Sequence, residues 1–306
     1  MSQKNRRRST PVIVYFLTFL ITATVVGLIA FFIFQKLAIS SNSKASKNID
    51  NATRVSYSPS AEYSQNILFV GLENDKPRVL SLVRIDTKEK EILCVPVPPE
   101  AVVQINTEKA TLSKFYEKYG IKALMSGIEL IFDIPVQRYC VFNDDGFKCA
   151  VRIIGGAEHP FPTDMYYENP DTGEVTDFKS GQTEGAVLYG DDIRKLMTYP
   201  CYTGGKEFGL SMTGSLTAQL ANTLSAGAHK DSNIVDDFFG ELINSSETNI
   251  THEDYAISRS AFQYVLSQVD RPATFLVPRG IWEKSERFVI SDDFLDSFRD
   301  YFNIGQ

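Results

Sequence analysis

The chain has 306 residues, of which 43% are hydrophobic and 23% charged, a composition that suits one membrane segment followed by a sizeable folded domain, or by two. Because the first 36 residues contain five basic and no acidic side chains, the net charge of −7 leaves −12 on the remainder. An acidic remainder argues against diffuse binding to nucleic acid or another polyanion, although a local cationic pocket or a bound metal could still hold an anionic ligand.

The N-terminal segment is predicted to cross a membrane. Residues 12–34 are apolar apart from three threonines and one glycine, and a spanning helix needs about 20 such residues. The basic cluster between Lys4 and Arg8 precedes this segment, which predicts a cytoplasmic tail at 1–11 and a C-terminal domain outside the cytoplasm. A cleavable signal peptide, with cleavage near Ala38-Ile39-Ser40, is the alternative.

The composition changes after the apolar segment. Residues 35–65 are rich in Ser, Asn, Ala and Lys and have few large apolar side chains, which predicts a flexible linker. Residues 66–306 are then the extracytoplasmic domain of a single-pass membrane protein.

Three short strands open this domain. The run at 67–70 is continuously apolar and ends at Gly71, as expected for a strand buried on both faces. Strands at 80–86 and 92–95 follow, separated by a polar turn. The loop ends near Glu73 and Glu100 are where a fold of this kind usually places its chemistry.

The elements that follow alternate between helices and strands, which indicates an α/β class. Three of the predicted helices begin at a polar cap: one runs to about Tyr119 from Thr111 or Ser113, one to 154 from Asn143 or Asp144, and one to 196 from Asp191 or Asp192. A capping box of Thr251 and Asp254 precedes a predicted helix at 255–268. Further helices are predicted at 121–132, from Ser211 onward, near 234–243 and at 291–302. The other predictions are a strand at 139–142, a hairpin with a long loop at 160–185, a loop at 198–206 and a last strand at 274–277.

Four cysteines lie in the predicted exported part, at positions 94, 140, 149 and 201. An even number in an exported domain permits disulfides, with three possible pairings. Buried free thiols are equally compatible with a domain large enough to fold without cross-links. The spacing of the four residues does not match a metal site.

Between about Asn66 and Pro278 the chain resembles the LytR-CpsA-Psr family of cell-envelope proteins. The resemblance rests on the order and spacing of short segments: Asn66-Ile67-Leu68-Phe69-Val70-Gly71, Leu82-Val83-Arg84-Ile85-Asp86, Val97-Pro98, Asp133-Ile134-Pro135, Asp145-Gly146-Phe147, Ile154-Gly155-Gly156, Pro162-Thr163-Asp164-Met165, Leu188-Tyr189-Gly190-Asp191, Phe208-Gly209 and Asn249-Ile250-Thr251.

The resemblance implies a mixed central sheet flanked by helices, an α/β/α arrangement preceded by one transmembrane helix. It also implies transfer of a glycopolymer from a polyprenyl-pyrophosphate carrier to peptidoglycan, at the membrane. In such proteins arginines and acids hold the pyrophosphate and a Mg²⁺ ion, and a hydrophobic pocket takes the lipid tail.

Several positions depart from the family pattern. The arginine–aspartate pair expected after the third strand is Pro99-Glu100, and the aspartate expected before the second strand is Arg78. The remaining expected arginines are replaced by other residue types, at Thr198, Pro200 and Leu210. Each lost arginine removes a bidentate phosphate contact that these residues do not replace, so the transferase activity is expected to be lost or strongly altered.

The candidate site residues are therefore few. Glu73, Arg78 and Glu100 are the candidates for catalysis, Lys206 for ligand binding, and Glu73 with Glu100 for a metal ion. The alternative is that all four are solvated loop charges.

Three functional hypotheses follow. The first is a membrane-anchored, non-catalytic family member with a degenerate site, which binds lipid-linked glycopolymer or regulates its attachment to peptidoglycan. The second is an active phosphotransferase, a glycopolymer–peptidoglycan ligase, with a rewired site. The third is a transcriptional attenuator, which the acidic external domain and the short tail before the apolar segment disfavour. The residues alone do not decide whether the chain is an enzyme.

Overall fold

The structure, a computed structural model, describes residues 64–160, 163–170, 172–180, 186–284 and 286–301. All of them belong to one compact unit, Tyr57–Gln306. The predicted cytoplasmic tail at 1–11, the predicted membrane segment at 12–34 and the linker up to residue 63 lie outside the described residues. Within the described ranges, no helix is both long enough and apolar enough to cross a bilayer.

The described residues form short strands interspersed with helices. The strands are β1 (Gln65–Glu73), β2 (Lys76–Asp86), β3 (Glu91–Val97), β4 (Val102–Ile105), β5 (Glu108–Thr111), β6 (Arg138–Phe142), β7 (Ala157–Glu158), β8 (Met165–Glu168), β9 (Val175–Phe178), β10 (Val187–Leu188), β11 (Glu247–Thr248), β12 (Ala273–Phe275), β13 (Gly280–Glu283) and β14 (Arg287–Ile290). The helices are α1 (Leu112–Tyr119), α2 (Ile121–Phe132), α3 (Asp144–Ile154), α4 (Gly190–Thr198), α5 (Gly205–Lys230), α6 (Asn233–Ser245), α7 (His252–Gln268) and α8 (Asp292–Tyr301).

Six strands form one mixed sheet in the order β11-β6-β1-β2-β3-β12. The three opening strands pair antiparallel, β1 with β2 and β2 with β3. Strands β6 and β12 are added in parallel to β1 and β3, and β11 closes one edge antiparallel to β6. The predicted α/β class with a mixed central sheet flanked by helices is therefore confirmed.

The two faces of the sheet pack against different helices. Because side chains alternate along a strand, Ile67 of β1 enters one hydrophobic cluster and Leu68 enters the other. The first cluster includes buried side chains of α3 to α7, and the second those of α1, α2 and α8. This arrangement explains why the opening strand is apolar at every position from 67 to 70.

A tight turn connects β1 and β2 at one end of the sheet. Asn74 and Asp75 both have positive φ, 52° and 60°, as expected at the two central positions of a two-residue hairpin turn. The strand register shifts between Gly71 and Leu72, which marks a bulge in β1. The turn holds Glu73 at the end of the strand.

Side-chain caps identified from sequence begin three helices. The Thr111 side chain accepts a hydrogen bond from the Lys114 backbone N–H at the start of α1, and Asn143 caps α3. Thr251 and Asp254 form the predicted capping box at the start of α7.

Three predictions about elements are wrong. Helix α5 begins at Gly205, six residues before the predicted start at Ser211, and therefore includes the last two residues of the predicted loop at 198–206. The hairpins β4–β5 and β13–β14 were not predicted, and the strand near 274–277, observed as Ala273–Phe275, is not the last one. Short strands with little alternation carry a weak local signal, and their pairing is decided by packing.

The four cysteines are free thiols. Cys94 and Cys140 are buried in the sheet, and burial raises the pKa of the Cys94 thiol to about 12 and that of Cys140 to about 11. Both thiols are therefore protonated and poorly reactive at neutral pH.

Candidate functional site

An apolar cavity lies between one face of the sheet and the helices α3 to α7. Its water-accessible volume is about 170 Å³. The sheet contributes Ile67, Phe69, Val83, Ile85, Ile92 and Cys94, and the helices contribute Phe147, Ala150, Leu220, Ala221, Leu224, Phe238, Phe239, Phe262 and Leu266. The cavity thus interrupts the hydrophobic core on that side of the sheet.

A second, larger pocket lies where strands β1 and β3 end, with a water-accessible volume of about 420 Å³. Four cationic and three anionic side chains line this polar pocket: Arg78, Arg194, Lys195, Lys206, Glu73, Glu100 and Glu174. The pocket therefore carries both signs of charge and only a small excess of positive charge.

The apolar cavity and the polar pocket adjoin each other. They share lining residues at the turn after β1 and at the end of α4: Glu73, Arg78, Val79, Arg194, Met197 and Thr198. A single elongated ligand could therefore place an apolar part between sheet and helices and a charged part at the strand ends.

The four candidate residues from the sequence all line the polar pocket, and they form two ion pairs. Arg78 Nε lies 3.1 Å from Glu73 Oε2, and Lys206 Nζ lies 3.0 Å from Glu100 Oε1. Lys206 Nζ also lies 4.3 Å above the centre of the Trp282 ring, a cation–π contact. Because the Arg78 side chain is 57% exposed, its pair with Glu73 stabilises the fold only weakly.

The sequence reasoning missed two lining cations, Lys195 and the more buried Arg194. Its side chain is only 10% exposed, and it contacts Glu174 and, at 3.2 Å, Asp191 Oδ1. Its Nε is buried and has no hydrogen-bond partner among the described residues, and Asp144 Oδ2 lies 3.7 Å from it. An unmade hydrogen bond of this kind costs roughly 1–3 kcal/mol, which a bound acceptor could recover.

The charges around Arg194 act as one network. Burial would raise the pKa of Asp191, but hydrogen bonds from Lys148, Lys195 and Arg194 outweigh it and lower that pKa to about 2. Burial would lower the pKa of Arg194, but its hydrogen bond to Glu174 and the neighbouring acids raise it. Asp191 and Arg194 are therefore both charged at neutral pH.

A sequence signal for this network did exist. Asp191 stands three and four residues before Arg194 and Lys195 on a predicted helix, a spacing at which opposite charges meet. The helix period alone does not show that Arg194 reaches the junction of cavity and pocket.

The positions where the resemblance leads one to expect arginines do line the polar pocket. Pro99, Thr198, Pro200 and Leu210 are all lining residues. The pocket thus lies where the family resemblance puts the pyrophosphate, without the guanidinium groups expected at those four positions.

The carboxylates do not form a ready magnesium site. The described ranges contain no group of three or more His, Cys, Asp or Glu side chains that could hold a metal ion. Glu73 and Glu100 line one pocket, but each is paired with a cation of the chain. Although Mg²⁺ is often held by one or two carboxylates with substrate phosphates, these two would first have to leave Arg78 and Lys206.

Comparison with known proteins identifies relatives of this chain. The model of the LytR_cpsA_psr family matches residues 31–192, more than half of the chain. A Bacillus subtilis protein named polyisoprenyl-teichoic acid–peptidoglycan teichoic acid transferase TagV is 29% identical over 130 residues, which cover 38% of this chain. The match spans only 33% of that protein's length.

Solved structures agree in fold. A crystal structure from Eubacterium siraeum is similar with a TM-score of 0.73 at 20% identity, covering 83% of this chain and 96% of that chain. The crystal structure of Bacillus subtilis TagV gives a TM-score of 0.63 at 19% identity, covering 78% of this chain and 96% of that chain. At these identities the similarity establishes the fold only.

Proposed function

This chain belongs to the LytR_cpsA_psr family, and we propose that it binds a polyisoprenyl-linked glycopolymer during attachment of such polymers to peptidoglycan. The observation that carries the proposal is that the apolar cavity adjoins the charged pocket and shares six lining residues with it. The substrates named for the TagV relative, a polyisoprenyl-linked teichoic acid and peptidoglycan, are consistent with it.

In the proposed complex the lipid tail occupies the apolar cavity and the diphosphate lies at its junction with the polar pocket. Arg194 and Arg78 line both spaces and would contact the diphosphate there. The Nε of Arg194, which has no hydrogen-bond partner in the described part of the chain, supports this assignment, because a phosphate oxygen would supply an acceptor.

We further propose that binding is the main activity and that transfer is lost. Pro99, Thr198, Pro200 and Leu210 line the pocket where arginines are expected. One donor to a developing charge contributes about 2.7–4 kcal/mol of transition-state stabilisation, so losing several would slow transfer severely. The cations that remain are already paired with acids of the chain.

The alternative is an active transferase with a rewired site. The position of Arg194 favours this candidate, because a nearly buried guanidinium at the junction could replace one of the missing arginines. The transcriptional hypothesis stays a prediction, as do anchoring by residues 12–34 and the requirement for Mg²⁺.

The test uses the full-length chain in mild detergent and two probes, farnesyl diphosphate and farnesol. We expect the diphosphate to bind more tightly, and Arg194→Met to remove most of that difference without weakening farnesol binding. Arg152→Met is the control, because Arg152 is exposed and lines neither the cavity nor the pocket. Failure of both probes to bind would refute the proposal.

Transfer is measured separately, with a radiolabelled polyisoprenyl diphosphate glycan, peptidoglycan as acceptor, and either Mg²⁺ or EDTA. Label appearing in peptidoglycan would refute the non-catalytic part and support the rewired transferase. In that case Arg78→Ala and Glu100→Ala should abolish transfer. If both variants transfer label as fast as the wild type, these two residues have no role in the mechanism.

A further inference from the structure

Three tyrosines line one wall of the polar pocket: Tyr167 on β8, Tyr199 at the end of α4, and Tyr202 shortly after it. Their rings form a contiguous row. The ring centres of Tyr167 and Tyr199 are 6.2 Å apart, and those of Tyr199 and Tyr202 are 5.0 Å apart, both in edge-to-face geometry. Phe208 extends the row behind Tyr202 at 5.1 Å. We call Tyr167, Tyr199 and Tyr202 the tyrosine wall.

Two of the three hydroxyl groups are used by the protein itself. Tyr199 donates a hydrogen bond to the Tyr166 carbonyl oxygen at 3.1 Å, and Tyr202 donates one to the Leu196 carbonyl oxygen at 2.8 Å. The first bond ties β8 to the end of α4, the second ties the loop after α4 back to that helix, and both hold the rings in place. A ligand in the pocket therefore meets ring surfaces that are ordered before it binds, which lowers the entropic cost of binding.

The tyrosine wall lines the polar pocket and does not line the apolar cavity. Arg194, Met197 and Thr198 line both spaces, whereas the three tyrosines line only the polar pocket. Asn169 and Glu174, polar residues of the hairpin β8–β9, line the pocket as well. A ligand that occupies both spaces would meet apolar side chains in the cavity, a guanidinium in the shared lining, and aromatic rings with polar groups in the polar pocket.

This order matches the chemistry of a lipid-diphosphate-sugar. A pyranose ring presents an apolar face of C–H groups, which packs on aromatic rings, and an edge of hydroxyls, which need hydrogen-bond partners. We infer that the tyrosine wall binds the sugar next to the diphosphate, with Asn169 and Glu174 facing its hydroxyls. The inference rests on the proposed function, because it assigns the part of that ligand which lies outside the cavity.

The test compares farnesyl diphosphate with farnesyl diphospho-N-acetylglucosamine by calorimetry on the full-length chain. We expect the sugar to lower Kd about tenfold, equivalent to about 1.4 kcal/mol. Tyr199→Leu should abolish this gain, so that it binds both probes with equal Kd, and its binding of the sugar-free probe shows that the variant is folded. Tyr199→Phe, which keeps the ring but loses the hydroxyl that holds it, should retain more of the gain than Tyr199→Leu.

Tyr166→Leu is the matched control, because Tyr166 is 61% exposed and lines neither space. Equal binding of both probes by the wild type, or an equal loss for both in Tyr199→Leu, would overturn the inference. If the wild type binds neither probe, the proposed function fails, and chitotriose then decides about the tyrosine wall. Binding of chitotriose that Tyr199→Leu abolishes would support a sugar site, and absence of binding would exclude one.

Discussion

Filling the apolar cavity should stabilise the protein and at the same time abolish binding of a lipid tail. Ala221 lies on α5 and lines the cavity, so Ala221→Phe would place a phenyl ring in the void. At roughly 24 cal/mol per Å³, an empty cavity of about 170 Å³ costs up to about 4 kcal/mol. One phenyl ring fills only part of this volume, so the recoverable part is smaller.

We expect Ala221→Phe to increase the free energy of unfolding by about 1–2 kcal/mol, within the range for burying one large apolar side chain. For a domain of this size that corresponds to a rise in melting temperature of roughly 2–8 °C. The Kd for farnesyl diphosphate should rise at least about tenfold, since tail and ring compete for the same space. Calorimetry measures both quantities on one preparation.

Ala256→Phe is the control, because Ala256 is exposed on α7 and the same ring there fills no void. It should change neither stability nor affinity appreciably. The reasoning is refuted if Ala221→Phe binds farnesyl diphosphate as tightly as the wild type. It is equally refuted if the variant is destabilised, because the space would then be too small or wrongly shaped for a ring.

Three further predictions concern charge and backbone. The pKa of Asp191 is about 2, below the ordinary value of 3.8. The charged carboxylate therefore stabilises the fold above pH 4, and this stabilisation is lost as the pH falls to about 2. The difference in melting temperature between the wild type and Asp191→Asn should shrink across that range. Arg194→Lys should bind farnesyl diphosphate more weakly than the wild type, because an ammonium group cannot reproduce the planar guanidinium contacts, and equal Kd values would argue against a phosphate contact. Gly146→Ala should unfold at a lower urea concentration than the wild type, since its new Cβ would lie 2.1 Å from a backbone oxygen. Gly240→Ala has open space around the new Cβ, so its free energy of unfolding should rise by about 1 kcal/mol in the same urea titration.

Much of the fold could be predicted because its signals are local. The unbroken apolar run at 67–70 indicated a strand buried on both faces, and the two clusters on either side of β1 confirm it. Helix α2 has the predicted bounds, since its apolar period and the break before Pro135 both lie in neighbouring residues. The cap of α7 was predictable for the same reason.

The candidate site was only partly predictable. Glu73, Arg78, Glu100 and Lys206 were selected because loop ends of such sheets carry chemistry, and all four line the polar pocket. Arg194 was missed, because only the packing of α4 against the strand ends shows that this residue lines the pocket.

The residues of this chain were enough to indicate its class, its order of elements and its family, because periodicity, caps and short motifs depend on neighbours along the chain. Three-dimensional packing alone decided that an apolar cavity opens beside a charged pocket, and that Arg194 and the tyrosine wall border it. These residues come from segments far apart in sequence, and whether they meet depends on how the helices pack on the sheet. The packing energy is a sum over many weak contacts, so it cannot be inferred from any local sequence pattern.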